Sequence, residues 1–348
     1  MTQAYQHPVT AAGALRLHLN ENTAGCSPKV IEAVRALGRD DLALYPDYDA
    51  VYRETAAYLG VPESSVLLTN GLDEGILLAA VIGQKRRPAD GDAESLVILP
   101  AFDMYAISVE AVGGRVVPVA PREDFTFPLE GALAAITPRT RLVFVTSPNN
   151  PTGVRVGNEA IRAISRALPR EALVFVDEAY HDFCGDTMVH ELGSLPNVVV
   201  GRTFAKAQGL AALRAGALVA VPETLDAFKP VIPPYSLNVV AAAALRAALA
   251  DREYLDWYVG QVRDSRERFY AFCQRHEFQY WESHANFVLA RVGPHATPVT
   301  EALRARGIYI RDKSADPNCR GCIRVTTGTV EATEVVVAAM EEYLCAAQ

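Results

Sequence analysis

The fold class of this chain is indicated most clearly by the stretch Leu142-Val143-Phe144-Val145-Thr146-Ser147-Pro148-Asn149-Asn150-Pro151-Thr152-Gly153. Four apolar residues in a row are followed by Pro, Asn and Gly, which are turn residues. A short continuous apolar run of this kind indicates a strand buried on both faces, as in a parallel sheet covered by helices. Similar runs recur at 65–68, 96–99, 115–119, 173–176, 198–200 and 217–220. Helical patterns lie between them at 72–84, 103–113, 129–136 and 158–168. This alternation predicts an α/β fold, a three-layer αβα domain around a mostly parallel sheet.

The pattern changes after Pro233-Pro234. A long helical stretch is expected at about 238–276, with strands at 286–291, 307–311 and 322–326 and helices at 296–306 and 330–345. We therefore predict an irregular N-terminal arm at 1–26, a large domain at 27–235 and a smaller α+β C-terminal domain at 236–348. The first helix of the large domain should begin at Ser27-Pro28, because Ser is a good N-cap and Pro suits the first helical position.

Composition narrows the classes of function. The 348 residues carry 33 basic and 41 acidic side chains, a net charge of −8, which argues against a nucleic-acid partner. We find neither a membrane-length apolar stretch nor a secretion signal at the start, so a cytoplasmic protein is expected. Of the six cysteines only Cys319 and Cys322 form a CxxC pair, and without a second pair no metal site is expected.

Two polar positions follow predicted strands. Asn150 lies in the turn after the first strand quoted above, and Asp177 comes directly after Val174-Phe175-Val176. The first is either an ordinary loop residue or a ligand-binding group, because α/β sheets bind ligands at the carboxyl ends of their strands. The second is either a helix N-cap or a buried charge that requires a cation.

A lysine is the third candidate. Lys206, one of five lysines, lies among small and apolar residues after the run at 198–200, with Thr203 before it and Arg214 after it. Loss of water lowers the pKa of an amine and makes it nucleophilic. The segment therefore indicates a reactive amine beside an anion site, or else a surface lysine on a helix.

The order and spacing of Asn150, Asp177, Tyr180, Lys206 and Arg214 closely resemble the fold-type I pyridoxal-phosphate (PLP) aminotransferases of class I and II. The resemblance covers essentially the whole chain and is closest to the histidinol-phosphate aminotransferase family. Supporting segments are 19–22, 45–47, 69–74, 100–105, 307–312 and 321–329.

The resemblance implies roles for residues around the cofactor. Lys206 matches the lysine that bonds to PLP and moves the proton, and Asp177 matches the carboxylate that pairs with the ring nitrogen. Asn150 and Tyr180 match residues that hydrogen-bond the ring oxygen, and Phe102 matches the aromatic residue stacked on the ring. The cofactor phosphate would be held by Gly71, Leu72, Asp73, Thr203 and Arg214, and by Tyr45 of a second subunit.

Substrate residues are implied in the same way. Arg324 matches the arginine that binds the acidic end of the substrate, Arg311 matches an arginine that helps hold a substrate phosphate or else is a surface residue, and Asn22 is a further candidate. Three positions depart from the family pattern: Ala205 stands for Ser, Gln208 for an aromatic residue and Thr23 for Pro. The departures at 205 and 208 predict weaker cofactor binding and an altered substrate pocket or interface.

The predicted function is a PLP-dependent aminotransferase that works by a ping-pong mechanism, with an amino donor and a 2-oxo acid as its small-molecule partners. Histidinol phosphate with 2-oxoglutarate is the first choice of substrates. The alternatives are an aromatic or other amino-acid aminotransferase, and a lyase resembling threonine-phosphate decarboxylases or natural-product cyclases. A non-catalytic binder fits poorly, since it has no chemical use for Lys206. The match of Tyr45 implies a homodimer.

Overall fold

A seven-stranded sheet organises the larger part of the protein, and the computed structural model describes residues 9–88 and 91–346. The strands are β1 (Leu15–Arg16), β2 (Val66–Asn70), β3 (Glu94–Ile98), β4 (Arg115–Val119), β5 (Thr140–Thr146), β6 (Leu173–Asp177), β7 (Val198–Thr203), β8 (Ala215–Val219), β9 (Gln279–Tyr280), β10 (Phe287–Arg291), β11 (Ile308–Tyr309), β12 (Arg311–Asp312) and β13 (Cys322–Thr326). The helices are α1 (Pro28–Arg35), α2 (Arg39–Ala43), α3 (Asp49–Leu59), α4 (Leu72–Lys85), α5 (Met104–Ala111), α6 (Leu129–Ala134), α7 (Asn158–Ala167), α8 (Pro222–Leu225), α9 (Val239–Ala250), α10 (Arg252–Arg275), α11 (Ala296–Ala305) and α12 (Val330–Ala346).

The large sheet has the strand order β2-β8-β7-β6-β5-β3-β4. Only β8 runs antiparallel to its neighbours, so the predicted mostly parallel sheet is confirmed. Successive side chains of a strand point to opposite faces. On β5, Val143 and Val145 therefore pack in one core layer with α3, α7 and α9, whereas Leu142 and Phe144 pack in the other with α4 and α5. Burial of both faces explains why the runs are continuously apolar.

The smaller sheet is antiparallel, with the order β12-β13-β10-β9, and packs against α10, α11 and α12 around a separate core that includes Phe269 and Val288. The N-terminal segment reaches this part through β1, which pairs in parallel with β11. The prediction of an entirely irregular arm was therefore wrong for Leu15 and Arg16, whose pairing partners are almost 300 residues away. Residues 1–8 of the arm lie outside the described residues, and the domain boundaries stay a prediction.

The long helical stretch predicted at 238–276 is two helices that meet at Asp251. The Asp251 carboxylate accepts hydrogen bonds from Ser27 Oγ and from Lys29 Nζ, the latter at 2.7 Å. Ser27 also caps α1, as predicted, by accepting a bond from Lys29 N. Helix α9 packs in the core of the large sheet, whereas α10 packs in the smaller part. Within the described ranges, no helix combines the length and apolar character needed to cross a bilayer.

Candidate active site

A cavity of about 1230 Å³, including space open to solvent, lies where the carboxyl ends of β5, β6 and β7 face the arm and the smaller sheet. Its walls bring together residues that are far apart in the chain. Of the predicted site residues, Leu72, Asp73, Phe102, Asn150, Asp177, Tyr180, Thr203, Lys206, Arg214, Arg311 and Arg324 line it.

We call the wall formed by Asp177, Lys206, Arg214 and the start of α4 the large-sheet end of the cavity. Lys206 follows β7 in a tight loop, and its Nζ donates a hydrogen bond to the Leu19 carbonyl oxygen at 3.0 Å. Burial, and then the positive charge of Arg324, lower the pKa of the Lys206 amine from 10.5 to about 8. A much larger fraction of this amine is therefore neutral near pH 7 than in an exposed lysine.

Asp177 ends β6 and is buried. Its carboxylate accepts hydrogen bonds from the Tyr105 hydroxyl at 2.6 Å and from Ala179 N at 2.9 Å. Burial raises its pKa to about 6. Among residues 9–88 and 91–346, no lysine or arginine forms an ion pair with it. Sequence reasoning missed Tyr105, although it lies in the supporting segment 100–105.

The start of α4 forms a cradle at the same end. Gly71 has φ +77°, and a Cβ on it would lie 2.6 Å from Arg214 Nη2, so this position requires glycine. Arg214 Nη2 lies 2.8 Å from Asp73 Oδ2. The first backbone N–H groups of a helix have no partners within the helix, which makes its N-terminus an anion site. Gly71 does not line the cavity itself but allows Arg214 to reach it.

The arm carries two asparagines, of which only Asn22 was predicted to be a site residue. Asn20 lines the cavity and donates from Nδ2 to the Tyr180 hydroxyl at 2.9 Å. The predicted substrate residue Asn22 lies outside the cavity lining, because its Nδ2 is bonded to the Ala207 carbonyl oxygen at 2.9 Å. Asn22 thus ties the arm to the loop that carries Lys206. Asn20 was missed.

We call the opposite wall, formed by Arg311, Lys313 and Arg324, the small-sheet end of the cavity. Arg311 on β12 and Arg324 on β13 are paired directly across the antiparallel ladder. Arg324 donates to the Asn150 side-chain oxygen and, at 2.7 Å, to the His18 carbonyl oxygen. Lys313 lines the same wall, and sequence reasoning missed it although it lies two residues after Arg311.

The three departures from the family pattern have different surroundings. Ala205 lines the cavity. Gln208 does not, because its Nε2 donates to the Tyr58 hydroxyl at 3.0 Å in a part-buried polar cluster. Thr23 Oγ1 accepts a bond from Thr329 N at 2.8 Å, next to the start of α12. Only Ala205 is therefore placed to change the pocket.

Tyr45 differs from the other predicted site residues because it lies on the exposed surface of the chain. Its side chain is 78 % exposed and stacks on Tyr235, with the ring centroids 4.1 Å apart. Leu42 and Leu44 beside it are also exposed. Tyr45 therefore does not line the cavity of its own chain.

The family described as aminotransferase class I and II matches residues 13–340. The chain belongs to this family. It is a PLP-dependent aminotransferase, so the fold, enzyme class and cofactor predicted from the sequence are confirmed.

Individual aminotransferases are similar over nearly the whole chain. Histidinol-phosphate aminotransferases from Anoxybacillus flavithermus and Methanococcoides burtonii are each 35 % identical, covering 95 % of this chain and 88 % and 90 % of their own lengths. The crystal structure of histidinol-phosphate aminotransferase from Sinorhizobium meliloti in complex with pyridoxal-5′-phosphate is 29 % identical and superposes with a TM-score of 0.86. It covers 96 % of this chain and 92 % of the other.

Proposed function

We propose that this aminotransferase transfers the amino group of histidinol phosphate to 2-oxoglutarate in a ping-pong cycle. The observation that carries the proposal is the cross-strand pair Arg311 and Arg324, which places two guanidinium groups in the same cavity as Lys206. Guanidinium groups bind phosphate and carboxylate oxygens in a bidentate manner. The names of the similar enzymes support the same substrate.

The large-sheet end fits PLP. A buried carboxylate without a cationic partner is costly, so Asp177 suits a protonated ring nitrogen. Arg214, the Thr203 hydroxyl and the start of α4 would hold the phosphate, helped by the backbone N–H groups of Leu72 and Asp73. Phe102 would cover a face of the ring, and Asn150 and Tyr180 would bond its oxygen. When bound, PLP supplies an electron-accepting ring next to the substrate Cα.

Lys206 is the residue that we assign to proton transfer. An efficient acid–base group has a pKa near the working pH, and burial brings that of Lys206 to about 8. The Leu19 carbonyl oxygen orients Nζ at 3.0 Å and thus ties the arm to the amine. Tyr105 orients Asp177 in the same way, by a bond of 2.6 Å to Oδ2.

Arg324 and Arg311 would orient the substrate by its anionic group. Arg324 is buried, and its bonds to Asn150 and His18 hold the guanidinium in one place. A fixed cation positions a substrate at a low cost in side-chain entropy. The substrate Cα would then be directed toward Lys206.

We further infer a cytoplasmic homodimer whose large and small domains divide near residue 235. The exposed apolar side chains Leu42, Leu44, Tyr45 and Tyr235 form a surface that a second subunit would cover. The resemblance implies that Tyr45 reaches the phosphate site of the partner. An isologous contact of this kind completes both sites at once.

A panel of amino donors tests the substrate. Purified holoenzyme is mixed separately with histidinol phosphate, phenylalanine, glutamate and threonine phosphate, and the cofactor absorbance and the products are recorded. Histidinol phosphate should give the fastest change, with one equivalent of keto product. A preference for phenylalanine would favour an aromatic aminotransferase, and released CO₂ or a cyclised product would establish a lyase.

A further inference from the structure

Lys313 extends the row of cations at the small-sheet end. Its backbone N–H donates to the Cys322 carbonyl oxygen at 2.9 Å, so the pairing of β12 with β13 continues one residue beyond β12. Alternate residues of a strand share one face. Arg311 and Lys313 accordingly both line the cavity, and Arg324 lies directly opposite Arg311.

The Lys313 ammonium group forms an ion pair with Asp316 that uses only part of its hydrogen-bonding capacity. The side chain is 15 % exposed, and Nζ lies 2.5 Å from Asp316 Oδ2. An ammonium group has three N–H donors. In the part of the chain that the structure describes, Asp316 is the one partner found for this nitrogen, which leaves donors for a ligand in the cavity. The neighbouring Asp312 does not occupy these donors, because its carboxylate accepts hydrogen bonds from Thr297 Oγ1 at 2.6 Å and from Ser314 N at 2.8 Å.

The charges facing this wall favour a dianion. Within residues 9–88 and 91–346, this wall carries three cations, and Lys313 is paired with the carboxylate of Asp316. His18 lines the cavity, but burial lowers its pKa to about 4, so it is neutral at pH 7. Glu21 also lines the cavity, and its charge is paired with Arg16 at 2.6 Å. Burial, and then the charge of Arg324, lower the pKa of Lys313. A bound anion would stabilise the charged form of Lys313 and offset both effects.

We propose that Lys313 is a specificity-determining residue that selects a phosphate monoester over a carboxylate at the small-sheet end. This inference rests on the proposed function, and it adds a third cation to the two arginines. A carboxylate has two oxygens, which the guanidinium groups can satisfy. A phosphate monoester has three terminal oxygens and up to two negative charges, so the ammonium group has a further oxygen to bind.

The test uses holoenzyme and two donors, histidinol phosphate and glutamate, in separate half-reactions. Lys313→Met keeps the length of the side chain and removes its charge, and Lys313→Arg keeps the charge. We expect Lys313→Met to raise the half-saturating concentration of histidinol phosphate roughly tenfold to hundredfold, with the maximal rate and the value for glutamate changed by less than about threefold. Lys313→Arg should restore most of the affinity. Lys229→Met, at an exposed surface lysine, is the matched control.

Several results would overturn the inference. Equal weakening of both donors, or failure of Lys313→Arg to restore binding, would mean that Lys313 only supports the fold. If Lys313→Met does not fold, as judged by circular dichroism, Lys313→Gln takes its place with the same expectations.

A second measurement separates this inference from the proposed function. If the wild-type enzyme does not accept histidinol phosphate, the proposed substrate is wrong. Binding of inorganic phosphate to the holoenzyme, measured by calorimetry, then decides the role of Lys313. A loss of affinity of about tenfold in Lys313→Met supports phosphate selection. Unchanged phosphate affinity refutes it.

Discussion

At the large-sheet end of the cavity, Asp177 is the last residue of β6 and Lys206 comes shortly after the adjacent strand β7 of the same sheet. At the small-sheet end, by contrast, Arg324 is fixed by a bond to His18, 306 positions away in the chain. The first end is assembled wherever the parallel sheet forms, because the carboxyl ends of its strands meet at one edge. The second end exists only when the arm and the smaller sheet are docked together.

The two ends also differ in charge. The large-sheet end combines a buried carboxylate with an amine whose pKa is lowered, groups that can move protons and balance a ligand charge. The small-sheet end presents three cations on one face of an antiparallel ladder. We therefore expect changes at the first end to act mainly on kcat and changes at the second to act mainly on KM.

The largest effect should come from Lys206→Ala. Loss of the amine removes both the covalent attachment of the cofactor and the proton carrier, so kcat should fall at least about 1000-fold. Borohydride treatment followed by mass spectrometry should place the cofactor mass on the wild-type peptide that contains Lys206. Lys313→Ala is the control and should retain that adduct. A reducible adduct on another lysine in Lys206→Ala would contradict the assignment.

Asp177→Asn should have the next largest effect. The amide is nearly isosteric but carries no charge to balance the protonated ring nitrogen, so kcat should fall about 100-fold to 1000-fold while some cofactor is retained. Steady-state kinetics with a cofactor absorbance spectrum checks this. Asp226→Asn, at an exposed ion pair, is the control. A near-normal kcat would show that the charge of Asp177 is not needed for the reaction.

Arg311→Gln tests substrate binding at the small-sheet end. Loss of one guanidinium should raise KM for histidinol phosphate roughly tenfold to hundredfold and change kcat by less than about threefold. Arg306→Gln, which disrupts a surface ion pair with Glu342, should leave both constants unchanged. If KM stays the same in Arg311→Gln, this residue does not bind the substrate.

The pH dependence of cofactor uptake probes Lys206 in the cofactor-free protein. Only the neutral amine reacts, and burial lowers its pKa from 10.5 to about 8. The neutral fraction therefore rises with pH and saturates above the lowered value, so the uptake rate should increase about tenfold between pH 7 and 9 and then level off. A rate that continues to climb through pH 10 would show an ordinary lysine. Stopped-flow absorbance measures the rate.

Tyr45→Phe should have the smallest effect, because it removes a single hydroxyl from the proposed dimer contact. Cofactor retention should weaken about twofold to tenfold, with the fold intact by circular dichroism. Mixing it with Lys206→Ala gives heterodimers in which one site carries both defects and the other neither. Partial recovery of activity supports a shared site, whereas no recovery after verified exchange, or a fully active monomer, refutes it.

Strands of the large sheet were predicted from sequence to within a few residues because their burial is encoded locally. Strand β5 begins at Thr140, two residues before the predicted run at 142–146. Strand β6 ends at Asp177, one residue after the predicted run at 173–176. The break at Asp251 was missed, and the partners that its carboxylate binds at this junction, Ser27 and Lys29, are more than 220 positions away in the chain. No local periodicity carries a signal for such a contact.

From the amino-acid sequence we predicted the strands of the large sheet, the enzyme family and the positions of Asp177 and Lys206 at strand ends, because apolar runs and the residue types that follow them are local signals. The three-dimensional structure was needed to show that Asn20 and not Asn22 lines the cavity, that Tyr105 bonds Asp177, and that Lys313 lines the cavity together with the two arginines. Those outcomes depend on contacts between segments that are distant in the chain, from 72 positions for Tyr105 and Asp177 to 306 positions for Asn20 and Thr326. Such contacts are set by the packing of whole elements against one another.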